Sequence, residues 1–347
     1  QKWNCSSLYD EFRDSDIFVP KIAVTKLERS SLEVHKENLR FFMDRNYTVV
    51  DAYDAHKNKG ISLRKLNADI IFAQQPGGLI KNQGLISLAL AGLICYIPYG
   101  LMVANNNKNH YGLVFNKILW KYFAPNNLIK ELYLKTSKWT RDEKVVVTGH
   151  PKLDDFRLKK NTKNDLDVIK KDGKKVVIFA PHHSVERRSS LQYATFTWNG
   201  NQMLEYARLN PNIYFIFKPH PRLRYSLISS GLMESVEVDK YYDKWSRLDN
   251  SQVYDAGEYF DLFNYSDVMI TDCGSFLAEY LLTERPIILP INPKSKGYNK
   301  FGAELVKSYY QVNDFNQLKT TLDSLLNGSD PLKANRLALI EKYFDTG

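Results

Sequence analysis

The chain has little cysteine: three residues among 347, Cys5, Cys95 and Cys273. They lie far apart, with no ligand spacing for a structural metal, and an odd count gives no closed disulfide framework. Free thiols in a reducing compartment are the expectation. Long apolar runs are also missing. The most apolar stretch, Leu85 to Tyr99, is too short and too interrupted by Gly and Pro to span a bilayer. It reads as a buried helix followed by a buried strand. The start, Gln1-Lys2-Trp3-Asn4, leads into polar sequence and shows no secretory signal. Beginning on Gln rather than Met, it fits a trimmed chain or one part of a longer protein. Glycine (17) and proline (13) are too few for a collagen-like or low-complexity chain, and 44% hydrophobic with 25% charged residues excludes general disorder.

Aromatic residues are plentiful, with 22 Tyr and 18 Phe. They suggest large apolar surfaces or stacking sites. Lys and Arg number 48 against 39 Asp and Glu, giving a net charge of +9. That balance favours a polyanionic partner: nucleic acid, anionic lipid or a phosphorylated substrate. The lysines are scattered, with only short runs such as Lys170-Lys171 and Lys174-Lys175. No nucleic-acid stripe is evident, so that partner is set aside.

Short continuous apolar segments alternate with helical ones, the pattern of a parallel sheet covered on both faces. Strands are predicted at Ile17 to Thr25, Tyr47 to Asp51, Ala68 to Ala73, Leu93 to Pro98, Trp120 to Ala124 and Lys144 to Thr148. A helix is predicted from about Ser31 to Arg45, capped by Ser30 or Ser31 with Glu33 in its first turn. A polar, Lys-rich stretch from Pro151 to Lys175 reads as an interdomain connection containing a helix. A second set of strands follows at Val176 to Ala180, Ile213 to Lys218, Val268 to Thr271 and Ile287 to Pro290. Its helices are predicted near Asn201 to Leu209, Glu258 to Tyr265, Ser275 to Leu282 and Asp314 to Leu326. The expectation is an α/β protein of two Rossmann-like domains, 17–150 and 176–330, with parallel sheets facing a central cleft. A last helix in 331–347 is expected to pack back on the first domain.

Three segments each follow a strand of the second set. They are Pro181-His182-His183-Ser184, Lys218-Pro219-His220-Pro221-Arg222 and Asp272-Cys273-Gly274-Ser275. They should line one edge of one sheet. Cationic side chains beside a helix N-terminus suit a phosphate, because exposed N–H groups and the helix dipole favour an anion there. Prolines on both sides of His220 fix its backbone, which points to a functional turn. One of His182 and His183 is open to a packing role alone, and Asp272 to a helix-capping role alone. Cys273 reads as structural. Glu279, about one turn beyond Ser275, is placed to accept hydrogen bonds from ribose hydroxyls. No carboxylate pair has metal-ligand spacing, so no metal or other cofactor is expected.

The segments APHHS and FKPHPR, and above all YDAGEYFDLFNYSDVMITDCGSFLAEYLLTERPIIL, resemble the CDP-glycerol glycerophosphotransferase family, the TagB/TagF-like enzymes of teichoic acid and capsule synthesis. The turn Gly149-His150-Pro151-Lys152-Leu153-Asp154 is similar to the family's turn at the domain junction. The resemblance covers roughly Val145 to Pro290. It implies a GT-B fold with the nucleotide held by the second domain. It also implies that His220 contacts the pyrophosphate, that Asp272 and Ser275 hold the transferred phosphate or its alcohol, and that Glu279, in place of the family's Asp, meets the ribose. The turn Pro181 to Ser184 then lies near the nucleotide. Two departures stand out. The family's Ser-Ser becomes Gly274-Ser275. In the first domain, the strand expected to end in His-Gly ends in Tyr99-Gly100, and a tyrosine of ordinary pKa near ~10 is a poor base at neutral pH.

The leading expectation is a transferase that moves glycerol- or ribitol-phosphate from a CDP-linked donor to a hydroxyl of a surface glycan or lipid-linked acceptor. His220, Lys218 and Arg222 stabilise the pyrophosphate, and the Gly274-Ser275 helix start binds the transferred phosphate. Tyr99 stands at the base position, with Gln74, Gln75 and His110 on the acceptor side. The alternatives are a GT-B glycosyltransferase using a CMP- or UDP-sugar donor, and an inactive nucleotide- or glycan-binding module. The expected location is cytoplasmic, peripheral on the inner face of a bacterial membrane and held there by the positive charge.

Overall fold

Most of the short apolar runs form parallel strands, gathered into two principal sheets. The structure is a computed structural model describing residues 3–159, 173–186, 189, 191–255 and 259–344. The chain divides into two units, residues 1–100 with 107–155, and residues 101–106 with 156–347.

The first unit opens with α1 (Ser6–Arg13), ahead of the expected start of the domain at residue 17. β1 (Ile22–Val24), α2 (Leu32–Met43) and β2 (Val49–Asp51) follow, the two strands pairing in parallel. β1 is shorter than the expected strand from Ile17 to Thr25. Pro20 has no N–H to give a ladder, and Ile17 and Val19 are each 83% exposed. Ser31 caps α2 by accepting the Val34 N–H. A hairpin of β3 (Tyr53–Asp54) and β4 (Lys59–Gly60) comes next. The main sheet places β5 (Ile70–Ala73), β6 (Leu93–Tyr96), β7 (Leu119–Ala124) and β8 (Val145–Val147) side by side in chain order, all parallel. α3 (Leu85–Ala89), α4 (Asn107–Tyr111) and α5 (Asn127–Thr136) lie between successive strands in the chain.

The expected connection at 151–175 begins with a helix, α6 (Pro151–Lys159). Its middle, 160–172, lies outside the described residues, as do 256–258 at the expected start of a later helix and 345–347 at the end of the chain.

The second unit holds a six-stranded parallel sheet. Its elements in chain order are β9 (Lys175–Ala180), α7 (Phe196–Leu209), β10 (Ile213–Phe217), α8 (Leu223–Ser229), α9 (Ser235–Arg247), β11 (Ser251–Val253), α10 (Phe260–Tyr265), β12 (Val268–Thr271), α11 (Gly274–Tyr280), β13 (Ile287–Pro290), α12 (Lys300–Leu305), β14 (Tyr310–Val312), α13 (Phe315–Leu326) and α14 (Lys333–Phe344). The strand order is β11-β10-β9-β12-β13-β14. Central position explains the apolar run of β9, where every residue from Val176 to Ala180 is at most 1% exposed. α9 lays Val238, Tyr241 and Trp245 on the sheet, and Trp245 stacks on Phe217 at 5.1 Å. The last helix, α14, is part of this unit, packed on α12 and on the turns that follow α11 and α12. It therefore has its partners here, where the expectation put it back on the first domain. Its buried Arg336 fixes it by donating to the Glu284 carbonyl and pairing with Asp330.

Residues 101–106 also belong to this second unit. Asn299 donates its N–H to the Val103 carbonyl and its side-chain amide to the Met102 carbonyl. Gly302 sits so close beneath that a Cβ there would fall 2.5 Å from the Val103 oxygen. Only glycine fits that position.

Candidate functional site

The strand order of the second unit fixes where its chemistry gathers. The chain runs from β9 outward to β10 and β11, then returns to place β12 on the other side of β9. That reversal is a topological switch point, and open parallel sheets bind ligands at the carboxyl ends of the strands there. The three turns singled out in the sequence leave β9, β10 and β12, so all three emerge at this edge.

The structure brings His182, His183 and His220 into one cluster. One ring nitrogen from each lies within 4.8 Å of the others. His183 and His220 stack at 4.1 Å, and His182 and His183 meet edge to face at 4.3 Å. The proline-flanked turn is anchored by backbone: Lys218 N–H donates to the Phe179 carbonyl and His220 N–H to that of Pro181. Burial drives the His182 pKa well below its ordinary value, helped by the neighbouring His183 and His220. Burial, then the Arg222 charge, lowers His183 to about 4. Both are neutral imidazoles at physiological pH.

Backbone donors select their tautomers. Ser184 N–H donates to His182 Nδ1, and Arg222 N–H donates to His220 Nδ1. With Nδ1 accepting, the neutral form of each ring carries its proton on Nε2. This bears on metal binding, since the three histidines are the one group among the described residues with the makings of a metal site. A ligating imidazole uses one nitrogen on the metal and donates from the other. His182 and His220 instead accept at Nδ1, so holding a metal through Nε2 would require that contact to be given up.

Ser184, expected at phosphate, is 5% exposed and engaged by the chain. Its Oγ accepts from the N–H groups of Tyr193 and Ala194 and lies 2.8 Å from His182 Nδ1. Asp272, expected on the reacting phosphate, is likewise buried and engaged. One oxygen accepts His182 N–H at 2.6 Å, and the other accepts Thr195 N–H and Thr195 Oγ–H at 2.6 and 2.7 Å. Burial raises its pKa, while these hydrogen bonds oppose the rise. This geometry makes Asp272 a brace that joins the turn after β9 to the start of α7.

Lys218 is 6% exposed, and its ammonium sits 4.8 Å and 5.1 Å from the ring centres of Tyr254 and Tyr259. Arg222 is exposed at the rim. Glu279, expected at a ribose, is 1% exposed and accepts Tyr259 O–H at 2.6 Å. It lies within the packed interior rather than on the rim. Gly274 is buried beneath Val103 and Tyr193, which a Cβ would meet at 3.3 and 3.4 Å. A larger residue there would require these neighbours to give way by a few tenths of an ångström. Ser275 is half-buried, its Oγ 3.4 Å from Cys273 Sγ.

In the first unit, Gln74-Gln75 and Tyr99 leave β5 and β6 at the same sheet edge. Gln75 and Tyr99 are exposed. The Gln74 amide donates to Cys5 Sγ, and the Tyr99 carbonyl accepts from Asn4. His110 lies apart on α4, and burial lowers its pKa. Sequence reasoning missed His150. It follows β8, is 3% exposed, and donates Nε2–H to the Pro98 carbonyl while its Nδ1 accepts Lys152 N–H. It thereby holds the loop that presents Tyr99. The signal was available in the Gly149 to Asp154 turn. Thr195, Tyr193 and Tyr298 were missed as well, and Tyr193 stacks on Tyr298 at 5.4 Å.

Comparison with known proteins places this arrangement. Over 155 residues the chain is 28% identical to the teichoic acid ribitol-phosphate polymerase TarK of Staphylococcus aureus, matching 43% of this chain and 27% of that protein. It is 26% identical to TarL of the same organism over an equal stretch, 25% of that protein. The chain thus spans only about a quarter of the curated relatives it matches. Among solved structures, a variant of the wall teichoic acid polymerase TagF superposes with a TM-score of 0.60 at 17% identity, covering 97% of this chain and 87% of that one. A UDP-GlcNAc 2-epimerase from Neisseria meningitidis, bound to UDP-GlcNAc, gives 0.59 at 14%, covering 96% and 90%. These likenesses establish a GT-B fold. The model of the CDP-glycerol:poly(glycerophosphate) glycerophosphotransferase family matches residues 101–302, more than half of the sequence, and the chain belongs to that family.

Proposed function

We propose that this chain transfers a polyol-phosphate, glycerol- or ribitol-phosphate, from a CDP-linked donor to a hydroxyl of a teichoic-acid or capsule-type surface glycan. The observation that carries the reading is the cluster of His182, His183 and His220 at the switch point of the second unit, with Arg222 at its rim. Imidazoles and a guanidinium gathered at a switch point suit a pyrophosphate, and family membership supplies the chemical class of the donor.

In the reaction, the acceptor oxygen attacks the distal phosphorus in line. A new P–O bond forms, the bond to the bridging oxygen breaks, and CMP leaves with that electron pair. The acceptor hydroxyl gives up its proton, which passes to solvent. The protein contributes positioning and charge stabilisation, which dominate phosphoryl transfer. His220 and Arg222 face the pyrophosphate, and Ser275 is the side chain at the α11 start that remains accessible to the transferred phosphate. Lys218 and Glu279 act from within, Lys218 by adding positive charge behind the cluster. Asp272 and Ser184 hold His182 and its turn in place. On the acceptor side, Tyr99, Gln74 and Gln75 are the candidates, with the loop of Tyr99 supported by His150.

The tautomers of His182 and His220 favour catalysis without a metal. Full turnover in EDTA is the expected result, and loss in EDTA with rescue by Mg²⁺ would remove that part of the reading. Among the described residues no helix is long and apolar enough to cross a membrane. A peripheral position on an anionic membrane, where a lipid-linked acceptor would reside, accords with the charge of +9. Incubation with CDP-glycerol, CDP-ribitol and CMP- or UDP-sugars tests the function. A phosphodiester product with stoichiometric CMP supports it, and a glycosidic product contradicts it.

A further inference from the structure

We propose that Asn4 and Cys5 are positioning residues of the acceptor side: from one short segment they set the two loops that carry Tyr99 and Gln74. This rests on the functional reading, which puts those loops at the acceptor hydroxyl, and it assigns their alignment to residues outside the sheet.

β5, β6 and β8 belong to one parallel sheet, so the loops that leave them emerge at one edge of the first unit. The sheet fixes where each loop begins, through bonds such as Ile97 N–H to the Ala73 carbonyl. Beyond that point the backbone needs other partners. Residues 4–7, which lead into the first turn of α1, supply them. The Asn4 amide donates to the Tyr99 carbonyl. Cys5 Sγ accepts the Gln74 amide N–H at 3.2 Å. Ser7 Oγ donates to the Pro151 carbonyl at 3.2 Å, next to His150, whose ring holds Pro98. One segment thus reaches the loops after β5, β6 and β8. It is itself held in place, because the Trp3 indole N–H donates to the Tyr47 hydroxyl at 3.2 Å and the indole meets Phe42 edge to face at 5.1 Å.

Stability alone does not account for the amide at position 4. Asn4 is 0% exposed, yet among the described residues its Oδ1 has no hydrogen-bond partner. A buried carbonyl left unsatisfied is destabilising. What the amide achieves is a fixed backbone at Tyr99. Cys5 acts on a side chain instead. With Nε2 of Gln74 turned to the sulfur, Oε1 is the other end of that amide, and a carbonyl oxygen accepts from a hydroxyl. The two acceptor-side groups leave neighbouring strands, and adjacent residues of the chain set their spacing. Spacing matters here, because a misplacement of ~1 Å at a reacting centre costs about 100-fold in rate.

The test compares wild type, Asn4→Leu, Cys5→Ala and Cys5→Ser by transfer kinetics with the acceptor varied, calorimetric titration of CDP-glycerol, and urea unfolding. Asn4→Leu and Cys5→Ala should each lower kcat/KM for the acceptor about tenfold or more. Affinity for CDP-glycerol should stay constant, and the urea midpoint of Asn4→Leu should be unchanged or higher. Cys5→Ser keeps an acceptor for the Gln74 amide and should restore most of the rate. Unchanged acceptor kinetics in Asn4→Leu overturn the proposal, as does a Cys5→Ser variant no better than Cys5→Ala. A urea midpoint or donor affinity that falls in step with the rate also overturns it, because the segment is then a general staple of the fold. Hydrogen exchange separates the tether from the functional reading. If the wild type transfers nothing from any CDP-polyol, that reading fails. Loss of protection confined to residues 74–79 and 97–100 in Asn4→Leu would still leave the tether standing, and unchanged protection there would remove it too.

Discussion

Asp272 accepts the backbone N–H of His182 at 2.6 Å, joining the turn after β12 to the turn after β9 across the switch point. With Thr195 donating twice to its other oxygen, this carboxylate gathers three donors from two segments far away in sequence. The histidine cluster is positioned through that brace.

Replacing Asp272 by Ala should therefore act mainly on stability. Three buried donors lose their acceptor, and each unsatisfied group costs about 1–3 kcal/mol. A loss of at least about 3 kcal/mol in urea unfolding is expected, with weaker donor binding as a consequence. Unchanged stability would show that the brace does not carry the turn.

The histidine cluster predicts a pH slope. His182 and His183 have folded pKa values below the ordinary 6.5, His183 at about 4. Between those values the unfolded chain binds more protons than the folded one, so stability is lost as pH falls from about 6.5 toward 4. At roughly 1.4 kcal/mol per pKa unit, this loss reaches at most about 3.5 kcal/mol for His183. Urea midpoints at several pH values, for wild type and His183→Gln, check this. The variant should show the shallower slope, and equal slopes would contradict the assignment.

Gly274 predicts a steric coupling. Gly274→Ser would place its Cβ 3.3 Å from Val103 and 3.4 Å from Tyr193. Over-packing on that scale costs on the order of 1 kcal/mol or more. Adding Val103→Ala should recover part of the lost melting temperature, as coupled neighbours do. Strictly additive effects would mean that the two side chains do not compete for space.

His150 supports the loop before Tyr99 through the Pro98 carbonyl. His150→Phe keeps the volume and leaves that buried carbonyl without its donor, at about 1–3 kcal/mol. If the loop presents the acceptor side, kcat should fall while the affinity for CDP-glycerol stays constant. A change confined to donor affinity would place His150 in a different role.

Much of this fold was legible because β9, β10, β12 and β13 occupy the middle of a sheet and are apolar over most of their length. The edge strands β11 (Ser251–Val253) and β14 (Tyr310–Val312) were missed. Each is three residues long with a central Gln, because an edge strand is not enclosed on both sides. α9 was readable in principle, since Val238, Tyr241 and Trp245 repeat at helical spacing. The site was half legible. Its histidines follow strong strands, so their shared edge could be inferred. The braces could not. Thr195 meets Asp272 across 77 residues, and Asn299 meets Met102 across 197. No local pattern marks such pairs. The same limit explains why the sequence did not show that Asp272, Ser184 and Glu279 are buried against partners within the chain.

The most direct test of the account is calorimetric titration of CDP-glycerol, CDP-ribitol, CDP, CMP and UDP into the wild type and His220→Ala, with circular dichroism to confirm that the variant is folded. The account predicts tight binding of a CDP-polyol to the wild type, weaker binding of CMP, and a loss of about tenfold or more in the variant, as expected when a donor to a charged group is removed. Binding that is indifferent to His220, or that favours UDP over every cytidine nucleotide, would contradict it.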